Sequence, residues 1–246
     1  MSKFTSSMSI KNSIHWLKTD DSQFAKKARS YIKSVFNLQI PVIPILHISL
    51  YRIHLLVLNF WQSLIRIFYF TPLFKAKVNQ AAPNLYLYSG MPQILGNLDI
   101  KIGSHVRMSG ISTFCGRSAA QTQPKLIIGN NVDIGWQNAI SVGTKVEIKD
   151  NVRLAGRVFL AGFPGHPLNA KARASGLPEL DFQAKDIVLE QDVWVGTGAT
   201  ILAGVTVGKG AIVAAASVVT KNVEAGTIVA GNPAKPVKKL DEVDYV

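Results

Sequence analysis

The sequence LEQDVWVGTGATILAGVTVGKGAIVAAASVVTKNV, residues 189–223, carries an aliphatic side chain at every sixth position. Four residues after each aliphatic stands a small or β-branched residue. A helix cannot use this period, because a step of six residues rotates by about 240° and spreads equivalent positions around the axis. Short strands joined by tight corners can use it, since three hexads close one triangular coil and the aliphatics then stack inward from coil to coil. The recurring aliphatics are Leu189, Val195, Ile201, Val207, Val213 and Val219.

The same repeat occupies the preceding part of the chain, with two irregularities. A step of eight residues separates Ile134 from Val142, so we expect two additional residues around Trp136–Asn138. The repeat then stops between Leu160 and Leu189. A polar segment that leaves a rigid stack of coils is where a functional site is expected. The earlier aliphatics of the repeat are Ile102, Ile128, Ile134, Val142, Ile148, Leu154 and Leu160.

These spacings divide the chain into a repeat region and its flanking segments. We predict a triangular prism of hexapeptide coils over residues 81–240, with an excursion loop at 161–188 and a C-terminal tail at 241–246. Residues 1–80 lie outside the repeat and are predicted to be helical. With 246 residues, of which 48% are hydrophobic and 17% charged, the chain is too apolar for a disordered protein.

Charge and cysteine content exclude further classes of protein. The net charge of +12 is concentrated in residues 1–80, which carry 11 basic side chains and only two acidic ones, Asp20 and Asp21. The basic residues lack interleaved aromatic side chains and a recognition motif, so we do not expect nucleic acid as a partner. Cys115 is the only cysteine, which excludes a disulfide framework and cysteine-rich zinc sites. The first 30 residues contain no apolar signal segment, so we expect a cytoplasmic protein.

The apolar part of the N-terminal region predicts an amphipathic helix with a wide apolar face. Within residues 34–74 the only charged side chains are Arg52 and Arg66, and with Asn59 and Ser63 they form a narrow polar stripe on a helix. A cationic helix of this kind lies in the headgroup region of an anionic membrane, here the cytoplasmic face of the inner membrane. The alternative is that its apolar face packs on the rest of the protein or on a sister subunit.

A membrane-spanning helix is disfavoured by the sequence. Pro41 and Pro44 interrupt the uncharged stretch Ser34–Tyr51, and the apolar run Ile53–Ile65 is too short to span a bilayer.

Three segments of the repeat region resemble one known family. They are DVWVGTGATILAGVTVG at residues 192–208, ASVVTK at 216–221 and AGNPAK at 230–235. Together they resemble the hexapeptide-repeat acyltransferases that use acetyl-CoA, which include maltose, galactoside, xenobiotic and polysaccharide O-acetyltransferases. The resemblance covers about residues 126–239. It implies an all-β, left-handed parallel β-helix and a homotrimer with the cofactor between adjacent prisms.

His166 is the candidate catalytic residue. It lies in FPGHPL, residues 163–168, between Gly165 and Pro167, which restrict the backbone. Acyl transfer from a thioester needs a base with a pKa near neutrality, and histidine is the side chain that supplies one. A lone histidine in a loop is otherwise a solvated or capping residue, but the Gly-His-Pro-Leu context resembles the catalytic loop of the family.

The resemblance also implies the binding residues. The amide of Thr197 would lie by the thioester, Ala215, Thr220 and Lys221 would contact the cofactor, and Lys235 and Lys238 would lie near the nucleotide phosphates. For the acceptor, Asn138 either binds substrate or satisfies a corner of the coil. Trp194 either walls the acceptor site or caps a corner. No metal is expected, because the repeat region contains only two histidines, His105 and His166.

The sequence thus predicts an acetyl-CoA-dependent O-acetyltransferase that modifies a sugar hydroxyl, in surface polysaccharide or glycolipid biosynthesis. The enzymatic alternative is a soluble small-molecule acetyltransferase with an antibiotic or an amine as acceptor. The non-enzymatic alternative is a β-helical scaffold or binding protein.

Overall fold

The structure is a computed structural model that describes residues 10–240. The predicted tail at 241–246 lies outside the described residues. Contacts divide the chain into two compact units, residues up to Val57 and residues from Leu58 onwards.

The N-terminal region is helical. Its elements are α1 Ile10–Thr19, α2 Gln23–Phe36, α3 Pro44–Ile65, a π-helical turn Arg66–Phe70 and α4 Thr71–Lys77. Helix α2 begins where the hydroxyl of Ser22 accepts a hydrogen bond from the backbone N–H of Ala25 at 3.2 Å, which satisfies one of the unpaired donors of its first turn.

The apolar helix is longer than the sequence indicated. The two prolines do separate it from α2, since α2 ends at Phe36 and α3 begins at Pro44, a position where a missing N–H costs nothing. From there α3, the π-helical turn and α4 form one continuous helix of 34 residues, Pro44–Lys77. By length and composition, this is the one helix of the described chain that could cross a membrane. Helix α3 has no buried residue.

The rest of the described chain is a stack of triangular coils. The strands, in chain order, are β1 Gln80–Ala81, β2 Tyr86–Tyr88, β3 Gln93–Leu95, β4 Asp99–Ile102, β5 Arg107–Ser109, β6 Thr113–Gly116, β7 Lys125–Ile128, β8 Asp133–Ile134, β9 Ala139–Val142, β10 Lys145–Ile148, β11 Arg153–Leu154, β12 Phe159–Ala161, β13 Ile187–Leu189, β14 Trp194–Val195, β15 Thr200–Leu202, β16 Thr206–Val207, β17 Ile212–Val213, β18 Val218–Val219, β19 Thr227–Gly231 and β20 Ala234–Lys239.

Successive strands fall on three faces, each a parallel sheet. Face 1 is β1-β4-β7-β10-β13-β16, face 2 is β2-β5-β8-β11-β14-β17-β19, and face 3 is β3-β6-β9-β12-β15-β18. Strand β20 returns antiparallel to β19 and extends the end of face 2. The predicted parallel β-helix with an α-helical N-terminal region is therefore confirmed.

Columns of aliphatic side chains form the core of the prism. On face 1, Ile128, Ile148, Leu189 and Val207 occupy the same register on successive strands, and all four are buried. Burying one such side chain contributes about 1.5–3 kcal/mol to stability, and each coil adds a layer to the same continuous core.

The two extra residues do not lie where the sequence placed them. Ile140 pairs with Leu160 on face 3, so the step from Ile134 to Ile140 is the regular six residues. The additional residues lie instead after Ile140, in the corner between β9 and β10. The prediction of an irregularity at Trp136–Asn138 is wrong because Val142, a second buried aliphatic of β9, is taken for the repeat position that Ile140 holds.

Longer insertions leave the prism at the same edge. Residues 117–124 connect β6 to β7 and residues 162–186 connect β12 to β13, so both run from face 3 to face 1. Because equivalent corners of a β-helix stack above each other, these two insertions project from one side of the prism and are able to meet.

Candidate active site

His166 lies in the longer of the two insertions, beside a cavity. The insertion contains the short helix α5, Ala170–Ala174, and a 3₁₀ turn, Asp181–Gln183. His166 is exposed, and Gly165 before it has a φ of +77°, a conformation that glycine adopts without strain. The cavity has a volume of about 490 Å³ and is lined by Ser118, Ala119, Gly165, His166, Arg173, Gly176, Leu177, Pro178 and Glu179.

A buried ion pair fixes the insertion to the prism. The guanidinium of Arg117, at the start of the shorter insertion, donates from Nε to the carboxylate of Glu179 and from Nη2 to the backbone carbonyl of Glu179 at 3.0 Å. Its Nη1 donates to Asp181 at 2.6 Å. Burial alone lowers the pKa of Arg117, but the hydrogen bonds and charges of Glu179 and Asp181 together raise it above its ordinary value. The segment Glu179–Asp181, which begins at the cavity wall, is therefore held by three hydrogen bonds from the side chain of Arg117.

A second arginine fixes the backbone next to His166. Arg173 in α5 donates from Nη1 to the carbonyls of Pro167 and Leu168, at 3.0 and 2.9 Å. Asn169 caps the first turn of α5 by accepting a hydrogen bond from the N–H of Ala172 at 3.0 Å. These contacts hold the segment that follows His166.

The imidazole of His166 is not held by a hydrogen bond from any residue in the described range 10–240. Both of its ring nitrogens are therefore available to a ligand in the cavity. A neutral imidazole in this position has the chemistry of a general base.

Sequence reasoning missed Arg117 and Glu179. Arg117 follows a regular strand, and Glu179 is one acidic residue in a long polar run, so neither has a local signal. Only the stacking of two insertions at one edge brings them together.

Three of the predicted binding residues lie together at a different edge. Thr197 and Ala215 occupy the corner between faces 2 and 3 on successive coils, and the carbonyl of Thr197 accepts a hydrogen bond from Ala216 at 2.8 Å. Both side chains are exposed. Trp194 is on face 2 beside this corner, paired with Arg153 and Ile212, and is 52% exposed.

The remaining cofactor candidates form two further groups. Thr220 and Lys221 follow β18 on the last coil, at the edge between faces 3 and 1 from which the long insertion also projects. Lys235 and Lys238 lie on β20, opposite Ala230 and Ile228. No member of the cofactor set lines the cavity of His166.

Asn138 lies inside the coil. It is 2% exposed, and its amide donates to the carbonyl of Gly135 at 2.9 Å and accepts from the N–H of Val158 at 2.6 Å. Its position corresponds to Val158 and Ala199 on the next coils, where the side chain points inward. The geometry thus favours the corner-satisfying interpretation of Asn138 over the substrate-binding one.

Comparison with known proteins identifies the repeat. Residues 186–221 match the family described as bacterial transferase hexapeptide (six repeats). This chain contains a hexapeptide repeat. Among solved structures, the hexapeptide-repeat chain is similar to AntD, an N-acyltransferase from Bacillus cereus in complex with dTDP and 3-hydroxybutyryl-CoA. The TM-score is 0.57 at 20% identity, over 70% of this chain and 89% of AntD. That likeness concerns the fold, and it confirms the predicted left-handed β-helix.

Curated relatives of the hexapeptide-repeat chain bear acetyltransferase names. This chain is 35% identical over 119 residues to "Putative acetyltransferase YJL218W" of Saccharomyces cerevisiae. The match covers 48% of this chain and 58% of the relative. The chain is 57% identical over 60 residues to a 2,3,4,5-tetrahydropyridine-2,6-dicarboxylate N-acetyltransferase of Staphylococcus aureus, covering 24% of this chain and 25% of that enzyme. The chain therefore matches less than two thirds of the length of these relatives.

Proposed function

We propose that this protein is an acetyl-CoA-dependent O-acetyltransferase that transfers an acetyl group to a sugar hydroxyl. The observation that carries the proposal is the position of His166, whose imidazole is exposed beside a cavity and unbonded within the described chain. The hexapeptide repeat and the acetyltransferase names of the relatives support the reaction class.

The mechanism is direct transfer in a ternary complex. His166 takes the proton from the acceptor hydroxyl as the acceptor oxygen attacks the carbonyl carbon of the thioester. Backbone N–H groups stabilise the developing oxyanion. The carbon–sulfur bond then breaks, and the proton passes from the imidazolium to the departing thiolate. No covalent enzyme intermediate is needed.

The cofactor site is built from small and cationic residues. At the corner between faces 2 and 3, the small and exposed residues Thr197 and Ala215 let the pantetheine arm of acetyl-CoA approach the backbone, while Thr220 and Lys221 of a neighbouring copy contact it from the edge between faces 3 and 1. Lys235 and Lys238 supply positive charge near the nucleotide phosphates, as point charges without the bidentate geometry of arginine. The CoA ester bound by AntD supports this class of cofactor.

The separation of His166 from Thr197 supports a homotrimer. Within one chain they belong to different edges of the prism, one between faces 3 and 1 and the other between faces 2 and 3. In a symmetric trimer of parallel prisms, the edge that carries His166 in one copy faces a different edge of its neighbour. The complete site then lies between two copies, and a monomer in light scattering would contradict this arrangement.

The acceptor is a sugar of surface polysaccharide or glycolipid assembly, at the cytoplasmic face of the inner membrane. The exposed apolar helix within residues 34–74 supports peripheral membrane contact, where lipid-linked glycans are made. AntD, which is similar in fold, was solved with the nucleotide dTDP.

A second candidate is acetyl transfer to an amine. The relatives in Staphylococcus aureus are N-acetyltransferases, and the same base would deprotonate an ammonium or amine acceptor. Labelled acetyl-CoA offered with matched hydroxyl and amino sugars separates the two reactions.

The test uses the full chain, acetyl-CoA and a panel of sugar acceptors. Acetyl-CoA should raise the Tm, and His166→Ala should lower kcat by about 10²–10⁴-fold while the rise in Tm remains. Lys171→Ala, an exposed change in the same insertion, is the matched control and should leave kcat unchanged. Full activity of His166→Ala would show that another group is the base. If acetyl-CoA does not change the Tm and no acceptor is modified, the protein is a scaffold.

A further inference from the structure

A second cavity, of about 430 Å³, lies where the long helix reaches the first coil of the prism. We call it the helix-base pocket. One wall is the last turns of α3 and the π-helical turn, and the other is β2 with the turn that follows it. The lining residues are Asn59, Gln62, Ser63, Ile65, Arg66, Phe70, Tyr86, Leu87, Tyr88, Ser89 and Gly90.

The polar groups of the helix-base pocket suit an anion. The guanidinium of Arg66 stacks over the ring of Tyr86 at 4.4 Å and forms no salt bridge with any residue of the described chain. Stacking uses the face of the guanidinium and leaves the N–H donors at its edge. Asn59, Gln62 and Ser63 add neutral donors from the same side of the helix.

No carboxylate competes for these donors. The pocket lining contains no acidic residue, and the sequence contains none between Asp21 and Asp99. An anion with several oxygen acceptors, such as a phosphate ester, therefore fits the charge and the donors of this pocket.

The opposite side of the same helix is aromatic and exposed. Trp61 lies about 200° around the helix from Asn59, Phe60 precedes it, and Ile67 and Phe68 follow in the π-helical turn; these four exposed residues form the outer aromatic surface. Phe68 is 75% exposed, and the others are close to half exposed or more. A free phosphate would use only the polar side, whereas a membrane lipid offers a phosphate and an apolar phase together. Tryptophan and other aromatic residues favour the membrane interface.

We propose that the helix-base pocket binds the phosphate-bearing headgroup of a membrane lipid, with Arg66 as the anion contact and the outer aromatic surface in the bilayer interface. This site is separate from the cavity of His166 and does not depend on acetyl transfer. The headgroup is that of a bulk anionic phospholipid, which carries the phosphate and the hydrocarbon chain together.

The test is co-sedimentation of the full chain with vesicles of phosphatidylcholine containing phosphatidylglycerol, and with vesicles of phosphatidylcholine alone. We expect binding to the anionic vesicles, weakened by salt. Arg66→Gln should weaken it about fivefold or more. Arg52→Gln, the matched control, removes the same charge from an exposed position of the same helix that does not line the pocket, and should weaken binding less. Arg66→Lys, which keeps the charge but not the planar donors, should give an intermediate affinity.

Three results would overturn the proposal. If Arg66→Gln and Arg52→Gln weakened vesicle binding equally at unchanged Tm, the protein would bind the membrane by general charge attraction and not through the helix-base pocket. Tight binding of inorganic phosphate, with no preference for vesicles, would identify a soluble phosphate site. Failure to sediment with either vesicle would exclude a lipid headgroup. A change of oligomeric state in Phe68→Ser, measured by light scattering, would then show that a second copy of the chain covers the aromatic surface.

Discussion

Arg117 and Glu179 are 62 residues apart in the sequence, yet their side chains form an ion pair in which each is only 5% exposed. The pair joins two insertions that leave the prism at the same edge, and one of them carries His166. The position of the candidate base therefore depends on a contact made between coils, not within the loop itself.

Breaking this pair should release the insertion. Arg117→Met leaves the buried carboxylate of Glu179 without its cation, and such a loss costs about 3–5 kcal/mol when the group stays buried. We expect the insertion to detach instead, so that trypsin cleaves faster after Lys171 and Arg173. Limited proteolysis followed by mass spectrometry measures the rate of this cleavage. The kcat should fall as well, because the insertion carries His166.

Lys149→Met is the control, since it removes the cation of a partly exposed ion pair with Glu190 at the end of face 1, and neither residue belongs to an insertion. Such pairs contribute little to stability, so neither proteolysis nor kcat should change much. If Arg117→Met were as resistant to trypsin as the control, the pair would not be what fixes the insertion.

Asn138→Ala should affect stability and not acceptor binding. The substitution removes the hydrogen bonds to Gly135 and Val158 and leaves a buried N–H unpaired, which costs about 1–3 kcal/mol. Urea unfolding should show this loss, while the KM for the acceptor stays within about twofold at a temperature where the variant is folded. Ser141→Ala, an outward-facing change on β9, the strand that follows Asn138, is the control. A large rise in KM with unchanged stability would instead make Asn138 a substrate contact.

The repeat could be predicted from the sequence because its cause is local. Every sixth residue must fill the same column, so Leu189 and Val207 are recognisable without any knowledge of their neighbours in space. The same local rule assigned the repeat position wrongly to Val142, because Val142 is also aliphatic and buried. Only the pairing of Ile140 with Leu160 shows that Ile140 holds this position.

The arrangement of the candidate site could be predicted only in part. His166 has a local signal in its glycine and proline neighbours. The positions of Thr197 and Ala215 follow from the repeat, whereas their role in binding the cofactor is implied only by the family resemblance. The contact of Arg117 with Glu179 depends on two insertions of unequal length meeting at one edge, which no periodicity encodes. The helix-base pocket likewise depends on Arg66 meeting Tyr86, from a helix and a strand that share no pattern.

Two glycines of one corner should respond differently to alanine. A Cβ on Gly196 would lie 2.6 Å from the backbone nitrogen of Ala215, so Gly196→Ala must push successive coils apart. A Cβ on Gly198 would meet nothing within 4 Å, and its φ of +71° leaves only the strain of a left-handed alanine, about 1–2 kcal/mol. Gly196→Ala should therefore lower the free energy of unfolding more than Gly198→Ala, measured by urea titration. Equal losses would mean that the corner has room to relax.

The thiol of Cys115 should react slowly in the folded protein. Burial raises the pKa of Cys115 above its ordinary value, so at pH 8 less of it is the reactive thiolate than in an unfolded chain. Because the unfolded chain loses this proton first as pH rises, the same shift makes the contribution of Cys115 to stability fall above its ordinary pKa. Labelling with a chromogenic disulfide reagent at pH 8 should be slow in buffer and fast in urea, and Cys115→Ser should show no labelling, since the chain has one cysteine. Equal rates in buffer and urea would mean that the thiol is as accessible and as ionised in the fold as in the unfolded chain.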